Sequence, residues 1–178
     1  MTSSKQRLLS PEVLDKAARC VIDVAKIEGV PAAIGGGFAL QLYGSPRLTG
    51  DIDVVALRRL MSLPQGEPLS FGGYRSEVDG VPVDIILRDD DFASLYDQGL
   101  LCKRTVEGLP VLPAEYLAAM KMVAGRHKDL ADLEFLIGEG VIDMTETRSI
   151  VRRFLGPYAV KELNSFAEET LWRRTKGK

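Results

Sequence analysis

Long apolar runs are missing from this sequence. None reaches the ~18–20 residues that a membrane span needs, and residues 1–13 hold no apolar stretch of the kind a secretory signal carries. Cysteine is scarce: Cys20 and Cys102 are too few for a disulfide framework, and their apolar neighbours suggest buried thiols. Histidine is scarcer still. His127 stands alone, so no zinc site and no hydrolase triad can be built around it, and it is expected in a solvated loop. An excess of one charge is also lacking, with 23 basic against 25 acidic side chains, so any nucleic-acid contact would have to be local. The basic tail from Trp172 onward is expected to fray. No internal repeat and no low-complexity segment occurs. These absences leave a cytoplasmic protein with no membrane partner. Its 178 residues suit one domain, or one domain with a helical addition, and 46% apolar content is enough for a core.

What is present falls into two halves. Ser10, Pro11 and Glu12 form a helix start, and Val13, Leu14, Ala17, Ala18, Val21, Val24 and Ala25 then recur at helical spacing up to Gly29. Val30–Ile34 reads as a first strand, Phe38–Tyr43 as a short helix broken at Gly44, and Asp51–Leu57 as a second strand. Arg58–Leu63 suggests a brief helix before a loop. Leu69–Val78 and Val81–Leu87 pair as a hairpin across Asp79-Gly80, the second of them apolar enough to be covered on both faces. Asp89–Asp91 would cap a helix to about Gln98, and residues 102–112 read as two short strands around Glu107-Gly108. From Pro113 onward the pattern is helical: Pro113–Val123, Lys128–Ile137, Thr145–Leu155 and Ala159–Arg173, with a strand signal only at Val141–Met144. The expected architecture is α+β, a mixed sheet flanked by helices over residues 1–112 and a helical C-terminal subdomain over residues 113–178.

Residues 34–55 carry the chemistry. Gly36 and Gly37 allow a sharp turn and a close backbone approach, and the helix behind them would aim its N–H groups at an anion. Asp51 and Asp53, two apart on a strand, face the same side. Two carboxylates ~4 Å apart repel by several kcal/mol at an effective dielectric near 20, a conflict that a hard divalent cation removes. Asp84 interrupts an apolar strand, where a carboxylate is costly unless paired or bound to metal. It either pairs with Arg47 or Arg58 or joins the other two aspartates. Arg47 and Thr49 lie in the connecting loop, where they can reach phosphate; Arg47 can equally pair with the aspartates. Lys121 either snorkels to the surface or reaches into a cleft. Arg126 and Lys128 cluster just beyond it. Asp129 and Asp132 share a helix face and are expected to cap or to pair with Arg126 and Lys121.

The series Gly36-Gly37, Gly44, Arg47, Thr49, Asp51, Asp53 and Asp84 resembles the nucleotidyltransferase superfamily that shares the DNA polymerase β fold. Within it the chain looks most like the small bacterial abortive-infection and minimal-nucleotidyltransferase type, several of which serve in toxin–antitoxin systems. The stretch from Lys121 through Arg126, Lys128, Asp129 and Asp132 is similar to the helical motif that follows the catalytic domain there. Gly37 and Gly50 stand where the family usually has a serine. The resemblance implies a Mg²⁺-dependent transfer of NMP from an NTP to an acceptor hydroxyl, on a protein, a tRNA 3′ end or a small molecule. Two Mg²⁺ ions, or Mn²⁺ in their place, would be held by Asp51, Asp53 and Asp84. Gly36, Gly37, Arg47, Thr49, Lys121 and Arg126 would bind the nucleotide. A cognate toxin or antitoxin partner is a further implication. The alternative is a catalytically weak member of the fold acting as the regulatory partner in a two-protein system.

Overall fold

The computed structural model describes residues 8–176. Residues 1–7, which carry part of the expectation of no secretory signal, and the last two residues of the basic tail lie outside them. The elements in chain order are α1 (Pro11–Ile27), β1 (Ala32–Gly35), α2 (Gly36–Leu42), β2 (Ile52–Ala56), β3 (Gly73–Val78), β4 (Val81–Ile86), α3 (Ala93–Leu101), β5 (Arg104–Val106), β6 (Leu109–Val111), α4 (Ala114–Ala124), α5 (His127–Gly138), α6 (Met144–Leu155) and α7 (Pro157–Lys176). Six strands form one mixed sheet in the order β3-β4-β2-β1-β6-β5. β2 and β4 run parallel, as do β1 and β6; the other neighbours are antiparallel.

Register decides which side chains share a face. Ile52, Val54 and Ala56 of β2 align with Ala32 and Ile34 of β1 and with Val83 and Ile85 of β4. The amphipathic α1 lies on this apolar face: its Ile22 and Ala25 border the same surface depression as Ala32. The opposite face presents Asp53 and Val55 beside Asp84 and Ile86. Alternation along each strand thus separates a dry layer from a polar one.

The four C-terminal helices pack on one another, α4 against α5 and α6, and α7 against α5 and α6. Residues 114–121 of α4 are all buried. A helix covered on every side serves as the wall between two layers: α4 also meets α3, which itself reaches β2.

Several local expectations change. Arg58–Leu63 is an irregular loop, not a helix. It is held from outside, by Glu28, whose carboxylate accepts from Met61 N (2.8 Å) and Ser62 N (2.7 Å), and by Tyr74, whose hydroxyl contacts Leu60 N and O. Val141–Met144 forms no strand; Val141 N closes onto Leu136 O and Ile142 packs inward. The C-terminal helix runs through the basic tail to Lys176, where Arg173 pairs with Glu169 and Arg174 with Glu139. Both cysteines are exposed. Cys20 falls on the outer side of α1, between the inward pairs Ala17-Ala18 and Val21-Ile22, and Cys102 ends α3 at the surface. His127 opens α5 in place of a loop. Among the described residues no helix is long and apolar enough to cross a membrane.

Candidate active site

The polar face of the sheet forms the floor of a cleft of about 580 Å³. Asp51, Asp53 and Asp84 all line it, together with Gly35, Gly36, Val55 and Ile86. One wall is α4 and the start of α5, through Leu117, Met120, Lys121, Arg126 and Lys128; the other is residues 67–71. The register explains the convergence, because Asp53 and Asp84 are direct partners on the parallel pair β2 and β4. Asp51 immediately precedes β2, and Thr49 Oγ1 donates to its Oδ1 at 2.6 Å.

The electrostatics of the three are unequal. Burial, then the neighbouring carboxylates of Asp51 and Asp84, push Asp53 up to about 6, against smaller opposing pulls from Lys121 and Lys128. Burial also raises Asp84, although Arg75 beside it pulls the other way. The Arg75 Nε–Asp84 Oδ1 separation is 3.5 Å. Of the two alternatives open for Asp84, the structure brings it beside Asp53; it also meets an arginine, but this is Arg75, directly opposite on β3, and not Arg47 or Arg58. Among the described residues no three acidic, cysteine or histidine side chains form a ready-made ion cage. What the cleft offers is an all-oxygen donor set with mutual repulsion, and a carboxylate whose proton affinity is raised first by burial and then by that repulsion. This is the donor chemistry that suits a hard cation such as Mg²⁺ or Mn²⁺.

The glycines divide. Gly36 has φ +57°, and a Cβ there would overlap the Asp53 carboxylate, so only glycine lets the turn sit against that side chain. Gly37 faces away from the cleft. A Cβ on it would meet Arg47 Nη2 at 3.0 Å and Thr49 Oγ1 at 3.1 Å. Gly35, which was not among the residues singled out from the sequence, lines the cleft. The helix behind the turn, α2, has seven residues and is too short for a large dipole.

Arg47 and Thr49 do not reach the cleft. Arg47 is committed to Asp132 of α5 through Nε–Oδ1 at 2.6 Å and Nη2–Oδ2 at 3.0 Å, a bidentate bridge from the α2–β2 loop to the helical layer. Thr49 is buried and spends its hydroxyl on Asp51. Both thereby support the site from behind. Lys121 is buried at the cleft wall and bridges Asp132 Oδ2 (2.6 Å) and Asp129 Oδ1 (3.0 Å). Arg126 precedes α5, and its Nε meets Asp129 Oδ2 at 2.6 Å. Burial raises the pKa of Asp129, but hydrogen bonds from Arg126 and Lys121 outweigh it, and the net shift is downward. The expected structural role of Asp129 and Asp132 matches this geometry.

Sequence reasoning missed the wall at residues 67–71 and the far end of the cleft. Residues 66–69 run along the free edge of β3 through Gly66 N–Arg75 O (2.8 Å), Arg75 N–Glu67 O (2.8 Å) and Leu69 N–Gly73 O (3.1 Å). Gly72 and Gly73, at φ +98° and +108°, lie so close to the carbonyls of Leu87 and Ile85 that a Cβ would overlap them. At the far end Arg88 lies over the rings of Phe71, Phe92 and Tyr96, at 5.3, 5.4 and 4.8 Å. Asp90 holds its guanidinium in a bidentate grip. The Gly72-Gly73 pair was the signal available in the sequence for this close-packed wall.

No family model matches the chain, and no curated protein matches its sequence. Solved structures do. The antibiotic-resistance factor ANT(2'')-Ia superposes with a TM-score of 0.58 at 15% identity, covering 88% of this chain and 98% of that one. The fold is that of the nucleotidyltransferases. JHP933 from Helicobacter pylori aligns with a TM-score of 0.51 at 19% identity, over 95% of this chain and 96% of its own. An antigenic nucleotidyltransferase-like protein from Paracoccidioides brasiliensis aligns with a TM-score of 0.50 at 18% identity, over 91% of this chain and 95% of its own. In this fold Asp53 and Asp84 share one cleft with Gly35 and Gly36, whereas Gly37, the second glycine of the pair in the resemblance, does not line it.

Proposed function

We propose that the protein is a divalent-cation-dependent nucleotidyltransferase that moves NMP from an NTP to an acceptor hydroxyl. In this reading residues 1–112 are the catalytic core and residues 113–178 the helical wall. The meeting of Asp51, Asp53 and Asp84 in one cleft, with Gly36 packed against Asp53, carries the proposal. The nucleotidyltransferase fold supports it. Asp51 and Asp53, joined by Asp84, are the residues that would hold two Mg²⁺ or Mn²⁺; the ions would neutralise charge on the triphosphate and on the departing pyrophosphate.

The chain's own residues have distinct parts. Thr49 fixes the rotamer of Asp51. The absence of a side chain at Gly36 lets the turn pack directly against the Asp53 carboxylate, and Gly35 and Gly36 bring their backbone to the cleft. Arg126 and Lys128 sit at the cleft wall and attract the triphosphate, while Lys121 is tied to Asp129 and Asp132 and contributes mainly field. Asp84 takes the acceptor proton as the hydroxyl oxygen bonds to the α-phosphorus and the bond to pyrophosphate breaks. α4 and residues 67–71 restrict water, so the fixed charges act in a low-dielectric space.

The charge of the cleft bears on the acceptor. Its acidic lining is Asp51, Asp53, Asp84, Glu67 and Asp129, against Arg75, Arg88, Lys121, Arg126 and Lys128, five of each sign. A lining so balanced admits a protein hydroxyl, a tRNA 3′ end or a small molecule such as an aminoglycoside as acceptor, in a setting such as a toxin–antitoxin or phage-defence system. The test is transfer of α-labelled ATP, CTP, GTP or UTP to lysate components with Mg²⁺. Label transfer that disappears in Asp53→Ala supports the proposal. Absence of both transfer and cation-dependent NTP binding defeats it.

A further inference from the structure

Arg75 and Asp53 pose a question that the proposed function leaves open. Asp84 has an arginine at 3.5 Å, whereas among the described residues no ion pair reaches Asp53, the more deeply perturbed of the two. The Arg75 backbone is fixed, its N bonded to Glu67 O and its O accepting from Gly66 N, both at 2.8 Å. Its side chain is not fixed in the same way. It is 64% exposed, while the Asp84 side chain is 19% exposed. The contact is a single long approach, unlike the bidentate Arg47–Asp132 bridge at 2.6 and 3.0 Å. A weakly held, solvent-facing guanidinium on a half-buried carboxylate is an arrangement that a stronger cation can dissolve without disturbing the strand.

We propose that Arg75 is the resident counter-ion of Asp84, holding that carboxylate in the cleft and competing with the divalent cation that Asp84 would bind. Arg75 is then a positioning residue that grades the two cation positions. The one resting on Asp51 and Asp53 fills first, and the one that needs Asp84 fills only when Arg75 is displaced. This inference rests on the cation-dependent reading above. It explains why a rim arginine on an edge strand points at a candidate catalytic carboxylate when open solvent lies beside it.

The experiment is a Mn²⁺ titration, followed by the electron paramagnetic resonance of the free ion, in the presence of a non-hydrolysable ATP analogue. Wild type, Arg75→Gln, Arg75→Lys and Asp53→Asn are compared. Arg75→Gln is expected to tighten the weaker Mn²⁺ site by up to about fivefold, the ceiling that an exposed ion pair sets, and to leave the tighter site unchanged. Arg75→Lys is expected to stay near wild type, and the metal-free melting temperatures of both Arg75 variants to stay close to it. Identical isotherms for wild type and Arg75→Gln, or a loosened weaker site, overturn the inference while the function stands. A wild type that binds no Mn²⁺, or an Asp53→Asn that binds as wild type does, overturns the function and the inference together.

Discussion

Two groups of charges lie within one side chain's reach of each other, and they are built on opposite rules. On the helical side Arg47, Lys121, Arg126, Asp129 and Asp132 satisfy one another, with four ion-pair contacts between 2.6 and 3.0 Å. On the sheet side three carboxylates line one cleft; among the described residues Asp84 meets Arg75 only at 3.5 Å, and no ion pair reaches Asp53. A buried charge is tolerated when it is paired, so the helical network is satisfied without a ligand, whereas Asp53, raised by burial and by its acidic neighbours, is not. The lesson concerns where to look for chemistry. The lysine and arginine that seemed made for phosphate are largely consumed in joining two layers, and the unbalanced group marks the site.

The sharpest way to break this comparison is to remove one charge from each side. Asp53→Ala is expected to reduce nucleotidyl transfer by roughly a thousandfold or more, the scale of losing a preorganised charge at the reacting centre, measured as label transfer under saturating Mg²⁺. Its folded state should remain intact by circular dichroism. Asp132→Ala is expected to do the reverse, costing about 3 kcal/mol or more by stranding Arg47 and Lys121. It should lower the melting temperature by about 10 °C. If Asp132→Ala melted like wild type, the helical network would not be the scaffold described.

Gly36→Ala tests whether the turn and the carboxylate are one unit. The left-handed conformation costs an alanine roughly 1–2 kcal/mol, and the overlap with Asp53 adds to it. Cation binding should weaken along with stability, whereas Gly44→Ala, with open space around its Cβ position, should cost stability alone.

A pH titration sharpens the sheet side. Asp53 is raised from 3.8 to about 6, so its protonated form is favoured by the fold. Its contribution is therefore neutral below about pH 4, becomes a penalty that grows as pH rises from about 4 to about 6, and levels off above that at about 3 kcal/mol. Metal-free protein should lose stability across that window, and Asp53→Asn should abolish that part of the slope and melt several degrees higher at pH 7. Cation affinity should rise over the same window, since the ion competes with the proton. The smallest effect belongs to the rim. Lys128→Ala should raise the KM for NTP about three- to fivefold with kcat little changed, in keeping with an exposed charge. An equal fall in kcat would move Lys128 from attraction to transition-state contact.

The comparison also shows why some of the site was legible in advance and some was not. Asp51 and Asp53 were visible because a strand forces residues two apart onto one side, and Gly36 because a turn before a helix calls for positive φ. Asp84 was visible as an anomaly, a carboxylate within Val81–Leu87. Arg47 and Thr49 were misassigned to phosphate because loop position says nothing of direction; Asp132, 85 residues away, captures one, and Asp51 the other. Arg75 and residues 67–71 were invisible as site residues, since only pairing with β4 and the Gly72-Gly73 approach bring them to the cleft. The thiols were placed inward on the character of their neighbours, but helix phase puts Cys20 outside.

The sequence by itself determined the alternation of helices and strands, the helical C-terminal half, the glycine corner and the three acidic positions. Each follows from forces acting within a few residues: apolar periodicity, capping, and the conformational freedom of glycine. Only the tertiary structure decided that Asp53 and Asp84 lie side by side, that Lys121 and Arg47 answer to Asp132, and that Arg75 faces Asp84. Those depend on strand register and on how two layers close over each other, which charge and packing settle between segments far apart in the chain.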